Sequence, residues 1–169
     1  MRTIGTMRRI GGVALALLAV GLTASTALAA LTFKSGPTVV FNTDGTVTAT
    51  ANISGLGNVP ATATLVETGT ALYQCTNKGN PSNIVQGQNP QPAQSVPGTQ
   101  DLGNSQHNGR ADLNVTTGPL TAAQNIDPRT AGCPGANWTA TLKSLTVTGA
   151  TLTITQGGAT VFTQFYPAP

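Results

Sequence analysis

The chain has 169 residues, with eight Lys or Arg, five Asp or Glu and a single His, for a formal charge of +3. Arg2, Arg8 and Arg9 account for three of the cations, so the remainder sets Lys34, Lys78, Arg110, Arg129 and Lys143 against Asp44, Glu67, Asp101, Asp112 and Asp127, five against five. That balance excludes the retained basic patch that nucleic acid or an anionic membrane surface would require. Aromatic residues at only 4% argue against a surface built on aromatic platforms.

Residues 1–29 predict a cleavable signal peptide helix. Arg2, Arg8 and Arg9 form its cationic start, Ile10 to Leu22 its apolar run, and Ala27-Leu28-Ala29 its small-residue cleavage site. The apolar run is short and interrupted by Gly11, Gly12 and Gly21, unlike a permanent span. Met7 and Gly11-Gly12 depart from the twin-arginine pattern around Arg8-Arg9, which favours ordinary unfolded export. The expected product, 30–169, is a secreted, extracellular domain of about 140 residues with no membrane attachment after cleavage.

Within that domain, short runs of alternating apolar and polar residues are punctuated by Gly, Pro and Asn, the pattern of antiparallel strands with one wet face. Val39-Val40-Phe41, the turn Asn42-Thr43-Asp44-Gly45 and the alternating Thr46–Ile53 predict a first hairpin. Gly55 to Pro60 breaks the chain. Ala61–Glu67 and Ala71–Cys75 then read as two strand pieces around a bulge or turn at Thr68-Gly69, with Glu67 carried on an outward face.

Residues 77–109 are rich in Asn, Gln, Pro and Gly and read as a long ordered loop. Ala111, Leu113 and Val115 share one parity, so 110–116 reads as a half-buried strand. A second irregular stretch, 118–136, contains Cys133.

Trp138, Ala140 and Leu142 share a face, whereas Leu145 and Val147 have the opposite parity; a bulge near Lys143-Ser144 would keep all five inside. In the last hairpin a Gly157-Gly158 turn is expected to pair Ile154 with Val161 and to place Leu152, Ile154, Val161 and Phe165 on one face. Tyr73 and Tyr166 are left as surface contacts. The sum is roughly seven to nine strands in an all-β, immunoglobulin-like antiparallel sandwich.

Cys75 and Cys133 are the only cysteines, and in an exported chain the expectation is that they pair. Their spacing to the single histidine matches no zinc pattern, so no metal site is read.

Ala71-Leu72-Tyr73-Gln74-Cys75 resembles the A-x-Y-x-C run of an immunoglobulin F strand, which implies a sandwich of that kind. Across its mature length, with Thr43-Asp44-Gly45-Thr46-Val47 and Asn137-Trp138-Thr139-Ala140-Thr141-Leu142, the chain resembles small secreted actinomycete proteins of unassigned function. It is more distantly similar to the secreted carriers that hold enediyne antibiotics in the cleft of an immunoglobulin-like sandwich. Those carriers have two disulfides, and this chain can form one.

No catalytic constellation is legible. His107, the sole histidine, lies in a polar stretch near Asp101 and Asp112 without a nucleophile elbow. Glu67 is the sole glutamate and lacks the opposed carboxylate that glycoside cleavage needs. No cofactor is implied.

The leading expectation is therefore a secreted, non-enzymatic binding or structural domain for an extracellular or cell-surface ligand. A small-ligand carrier with a cleft is the alternative, and a hydrolase the third. Because 77–109 and 118–136 flank the two cysteines, a disulfide would draw them together. Their Lys78, His107 and Arg129 are the candidate binding residues, with solvated connectors as the alternative reading of both segments.

Overall fold

A computed structural model describes residues 31–103 and 109–169. The signal segment 1–29 and His107 lie outside the described residues.

The first hairpin forms as the turn residues predict. β1 (Thr32–Phe41) and β2 (Val47–Ser54) pair antiparallel. Between them Asp44 Oδ1 accepts bonds from the Thr46 amide at 3.0 Å and hydroxyl at 2.7 Å. These bonds hold the Asp44 carboxyl below its ordinary pKa, the hydroxyl contributing most.

Next comes β3, one strand of 17 residues running unbroken from Ala61 to Asn77. The irregularity expected at Thr68-Gly69 lies on its partner instead. β3 pairs along its whole length with β11 (Trp138–Gln156), and that ladder shifts register between Leu142 and Ser144 and again between Val147 and Gly149. Lys143 and Thr148 are the inserted residues. The first shift is the bulge that the Trp138–Val147 pattern requires. It places Leu145 opposite Ala71, although Leu145 remains 38% exposed.

The stretch read as a loop returns along the free side of β3 as a broken strand. β4 (Ile84–Gln86), β5 (Gln91–Pro92) and β7 (Gly98–Gly103) pair with β3 in turn, ending at Ala61 opposite Gly103. In between, β6 (Gln94–Val96) swings away to pair with β9 (Gly118–Thr121) as a separate two-stranded sheet. Few residues of 77–103 have an apolar side chain to bury, so this stretch carries no alternation that would mark it as strand. Its backbone is ordered by β3.

β8 (Arg110–Thr116) joins β2 to complete a sheet of order β1-β2-β8. β10 (Asn125–Ile126) and β12 (Ala159–Pro167) pair with the other side of β11.

The described residues thus contain twelve strands, more than expected because both segments read as irregular, 77–109 and 118–136, contain short ones. The architecture is an antiparallel sandwich with no helix among the described residues.

Alternation explains the core. The inward rows Val47, Ala49, Ala51 and Ile53 of β2 and Leu113 and Val115 of β8 pack against Ala61, Ala63 and Leu65 of β3 and Ala150, Leu152 and Ile154 of β11. Each large aliphatic residue buried this way contributes about 1.5–3 kcal/mol. Phe33 of β1 meets Phe162 of β12 edge to face, with ring centroids 4.7 Å apart.

The last hairpin turns at Gly157-Gly158, both at positive φ as a tight two-residue turn demands. Its register differs from expectation. Ile154 pairs with Phe162, and a shift beside Thr155 leaves Val161 as the extra residue. Val161 packs on the core as expected, but so do Phe162 and Tyr166, while Phe165 is 53% exposed on the other face.

Candidate functional site

A smaller cluster, Ala71, Tyr73, Ala131 and Ala140, lies beyond the main core, flanked by Ala122, Ile126, Cys133 and Leu142. With so little apolar bulk, this end needs other ties. Cys75 on β3 is bonded to Cys133, as expected, and no described cysteine is free.

The turn that delivers Cys133 is built locally. Asp127 Oδ1 accepts the amides of Arg129 at 2.8 Å and Thr130 at 3.4 Å, and the Cys133 amide donates to the Pro128 carbonyl at 2.8 Å. Asp in such a position folds the backbone over its own side chain, which is why Asp-Pro-Arg-Thr turns here.

The two irregular segments are zipped together beside the disulfide. The Asn89 amide donates to the Ala131 carbonyl at 3.1 Å, and Gln91 Nε2 donates to the Thr130 carbonyl at 3.0 Å. Lys78 N donates to the Asn137 carbonyl at 3.0 Å, and the Tyr73 hydroxyl to the Ala123 carbonyl at 2.9 Å. Tyr73 is thus 3% exposed and internal, not a surface contact. Its hydroxyl reaches a carbonyl 50 residues away, a different use from the local corner of an immunoglobulin tyrosine.

Beside these ties lie two depressions, called the two lobes of a groove because they share the lining residue Ile126. One, of about 400 Å³, lies over Tyr73 between Gln91–Gln94 and Ala122, Ala123, Ile126 and Thr130. The other, of about 240 Å³, lies between Lys78, Asn125, Pro128 and the Trp138–Ala140 stretch. Ile126 of β10 borders both lobes.

Lys78 therefore lines the second lobe. Arg129 is exposed on the turn between Pro128 and Thr130, which border different lobes. His107 falls outside the described residues, but its flanks are remote from the groove. Gly103 pairs with Ala61, and the Gly109 carbonyl accepts the Leu56 amide at 3.1 Å, at the opposite end of β3 from Lys78. Seventeen residues of strand separate those ends by roughly 50 Å at ~3.3 Å per residue. The disulfide draws together only the parts of the segments nearest the cysteines.

Near the remote end a polar depression of about 390 Å³ is lined by Lys34, Asn52, Ile53, Arg110, Ala111 and Asp112. Among the described residues no three of His, Cys, Asp or Glu gather as a metal site.

Sequence reasoning missed Tyr73, Gln91, Ile126 and Trp138 as groove residues. The alternation of Trp138 with Ala140 and Leu142 predicts a core residue, and its 9% exposure agrees with that while leaving one side on the groove. The placement of Glu67 also differs from expectation. It is 1% exposed and points inward, because β3 continues its alternation through position 67 without a break. Neither carboxylate oxygen has a hydrogen-bond partner. Burial raises its pKa, and the nearby Thr117 hydroxyl offsets part of that rise.

Comparison with protein families, with curated proteins and with solved structures finds no match for this chain. The reading of its role rests on its own residues.

Proposed function

We propose that the chain is an exported, non-enzymatic binding domain whose ligand sits in the two-lobed groove at the disulfide end. The observation that carries this reading is the zipping of Asn89 and Gln91 onto Thr130 and Ala131 beside the Cys75–Cys133 bond, which fixes two otherwise irregular segments around Tyr73 and Trp138. Loops held rigidly by a scaffold are where sandwiches carry recognition.

The lining indicates the ligand's chemistry. Aromatic and aliphatic groups from Tyr73, Trp138, Ile126, Pro128 and Pro92 favour an apolar body, the amides of Gln91, Gln94 and Asn125 favour hydrogen-bonding substituents, and Lys78 is the one cation of the lining. A compact amphipathic molecule with a carboxylate or similar acceptor fits that set.

The carrier reading takes the same place. Ile53, Leu65, Leu152 and Ile154 are fully buried between the sheets, so a carried ligand would occupy the groove and not an inter-sheet cleft. The export features of residues 1–29 and the disulfide support an extracellular setting, and the resemblance to small secreted actinomycete proteins and the immunoglobulin-like strand run agree with it.

Trp138 is the only tryptophan, so its fluorescence reports on the second lobe without interference. Titration with a set of aromatic and aliphatic carboxylates should give a saturable change for some members, weakened by Lys78→Ala. Turnover screens on peptide, ester and glycan substrates should be blank. Hydrolysis abolished by His107→Ala or Glu67→Ala would overturn the non-enzymatic assignment, and unsaturable responses throughout would overturn the groove.

A further inference from the structure

The β6–β9 pair stands where the β1-β2-β8 sheet has ended, and it covers the inward face of β3 at positions 67–69. The chain leaves the β3 edge after Ala93, whose amide donates to the Gly69 carbonyl at 3.0 Å, and returns at Gly98 opposite Leu65. Leu120 of β9 rests directly on Gly69, close enough that a Cβ there would overlap its Cδ1. Thr117, at the start of this cover, is clamped to Val47 by two bonds of 2.9 Å, one from each amide. Its hydroxyl also favours the charged form of Glu67 and offsets part of the cost of burial.

Glu67, 1% exposed, is therefore a buried carboxyl at the inward position next to Gly69, where Leu120 of this thin cover rests. The far end of that cover is the groove wall, since Gln94 of β6 and Ala122 and Ala123 after β9 line the first lobe. Ser95 of β6 carries a further buried oxygen without a partner. A sealed, unpartnered carboxylate is far more costly than a sealed carboxylic acid, and the least expensive relief is to admit water.

We propose that the β6–β9 pair is a pH-sensitive wall of the groove, seated on β3 while Glu67 is neutral and unseated when Glu67 ionises. This rests on the groove being the binding site. The groups facing Glu67 cannot neutralise its charge. Ala150 of β11 stands directly opposite, Tyr166 of β12 stands opposite Ala150 in turn, and β6 and β9 contain no ionisable residue. Asp44 sits in the turn that abuts Pro119 of β9, but it is exposed and already engaged by Thr46. Lys143, the one charged residue of β11, is exposed.

Because the Glu67 pKa is raised in the folded protein, the seated form is fully favoured below the ordinary glutamate range. It loses that advantage as pH rises through the raised value. Ligand held against Gln94, Ala122 and Ala123 is accordingly held best at acid pH.

The test is amide hydrogen exchange by NMR on the exported, disulfide-intact protein, corrected for intrinsic exchange, with Leu152 and Ile154 as internal references. Protection at the β6 and β9 amides should be lost as pH is raised from the ordinary glutamate range to about pH 8, while the reference amides hold steady. Glu67→Gln should flatten the profile, and Glu67→Met serves the same purpose should the amide variant fold poorly. Constant β6–β9 protection in the native protein would overturn the proposal, as would an equal fall in either variant. These readouts need no ligand, so a groove that binds nothing would remove the proposed function while leaving the wall standing.

Discussion

Positions 67 to 69 of β3 show how single residues set the interior. Ala61, Ala63, Leu65, Glu67, Ala71, Tyr73 and Cys75 are all inward, and all have odd numbers. The parity was present in the sequence, since Glu67 shares it with Ala61, Ala63 and Leu65 of the same strand piece; the charge of Glu67 was what argued for an outward face. Gly69 keeps the row unbroken by leaving room for Leu120 and for the Thr146 carbonyl, which an added Cβ would approach to 2.5 Å. A carbonyl in a paired strand cannot give way. Gly69→Ala should therefore lower stability by about 1–3 kcal/mol, read from the denaturant midpoint. Gly36→Ala, where nothing lies within 4 Å of the new atom, is the control and should stay within about 0.5 kcal/mol. Asp44 behaves oppositely to Glu67: its pKa is depressed, so its contribution is present above the ordinary aspartate range and lost as pH falls through the lowered value. Asp44→Asn should accordingly reduce the loss of stability on acidification, as followed by thermal melts across that range.

Among the elements, edges and bulges decide what could be foreseen. The first hairpin and the Gly157-Gly158 turn were legible because Asn, Asp and Gly dictate turn geometry locally. The bulge at Lys143 was legible because it left a parity conflict among large apolar residues. The bulge at Val161 left no conflict, since Val161, Phe162, Phe165 and Tyr166 make either register plausible, and one inserted residue exchanges the faces of Phe162 and Phe165. The edge of β8 has a protecting device of its own. Gln100 of β7 presents its amide as a strand would, donating to the Asp112 carbonyl at 2.9 Å and accepting from the Asn114 amide at 2.7 Å. It closes one side of the sandwich and occupies an edge that could otherwise recruit another chain. Gln100→Ala should cost about 1–2 kcal/mol, by analogy with two exposed hydrogen bonds, and should raise aggregation on prolonged incubation, followed by light scattering. Unchanged stability and solubility would show that β8 needs no such cover.

For the molecule as a whole, two unequal clusters share one pair of long strands, and only the larger is rich in aliphatic side chains. The smaller depends on the Cys75–Cys133 bond, which closes a loop over a sequence separation of 58. Reduction should lower stability by about 4 kcal/mol in the chain-entropy account. Exchange protection should be lost first around Tyr73, Ala131 and Ala140, while Leu65, Leu152 and Ile154 persist. The disulfide itself could be read from the sequence, and Lys78, singled out there, lines the second lobe. The groove could not, because it depends on backbone bonds from Asn89 and on the side chain of Gln91, neither of which has a periodic signature. His107 was grouped with Lys78 by position in one segment, and the return of that segment along β3 carries its flanks to the other end.

The central claim is that recognition happens in this groove, and amide chemical-shift mapping during titration with the carboxylate set tests it most directly. The predicted result is saturable shifts concentrated at Gln88–Gln94, Ala122–Thr130 and Trp138–Ala140, diminished by Lys78→Ala. Shifts confined to the sheet strands at Thr46–Ile53 or Thr151–Thr155, or around Lys34 and Arg110 at the remote end, would contradict it and assign binding to another face of the sandwich.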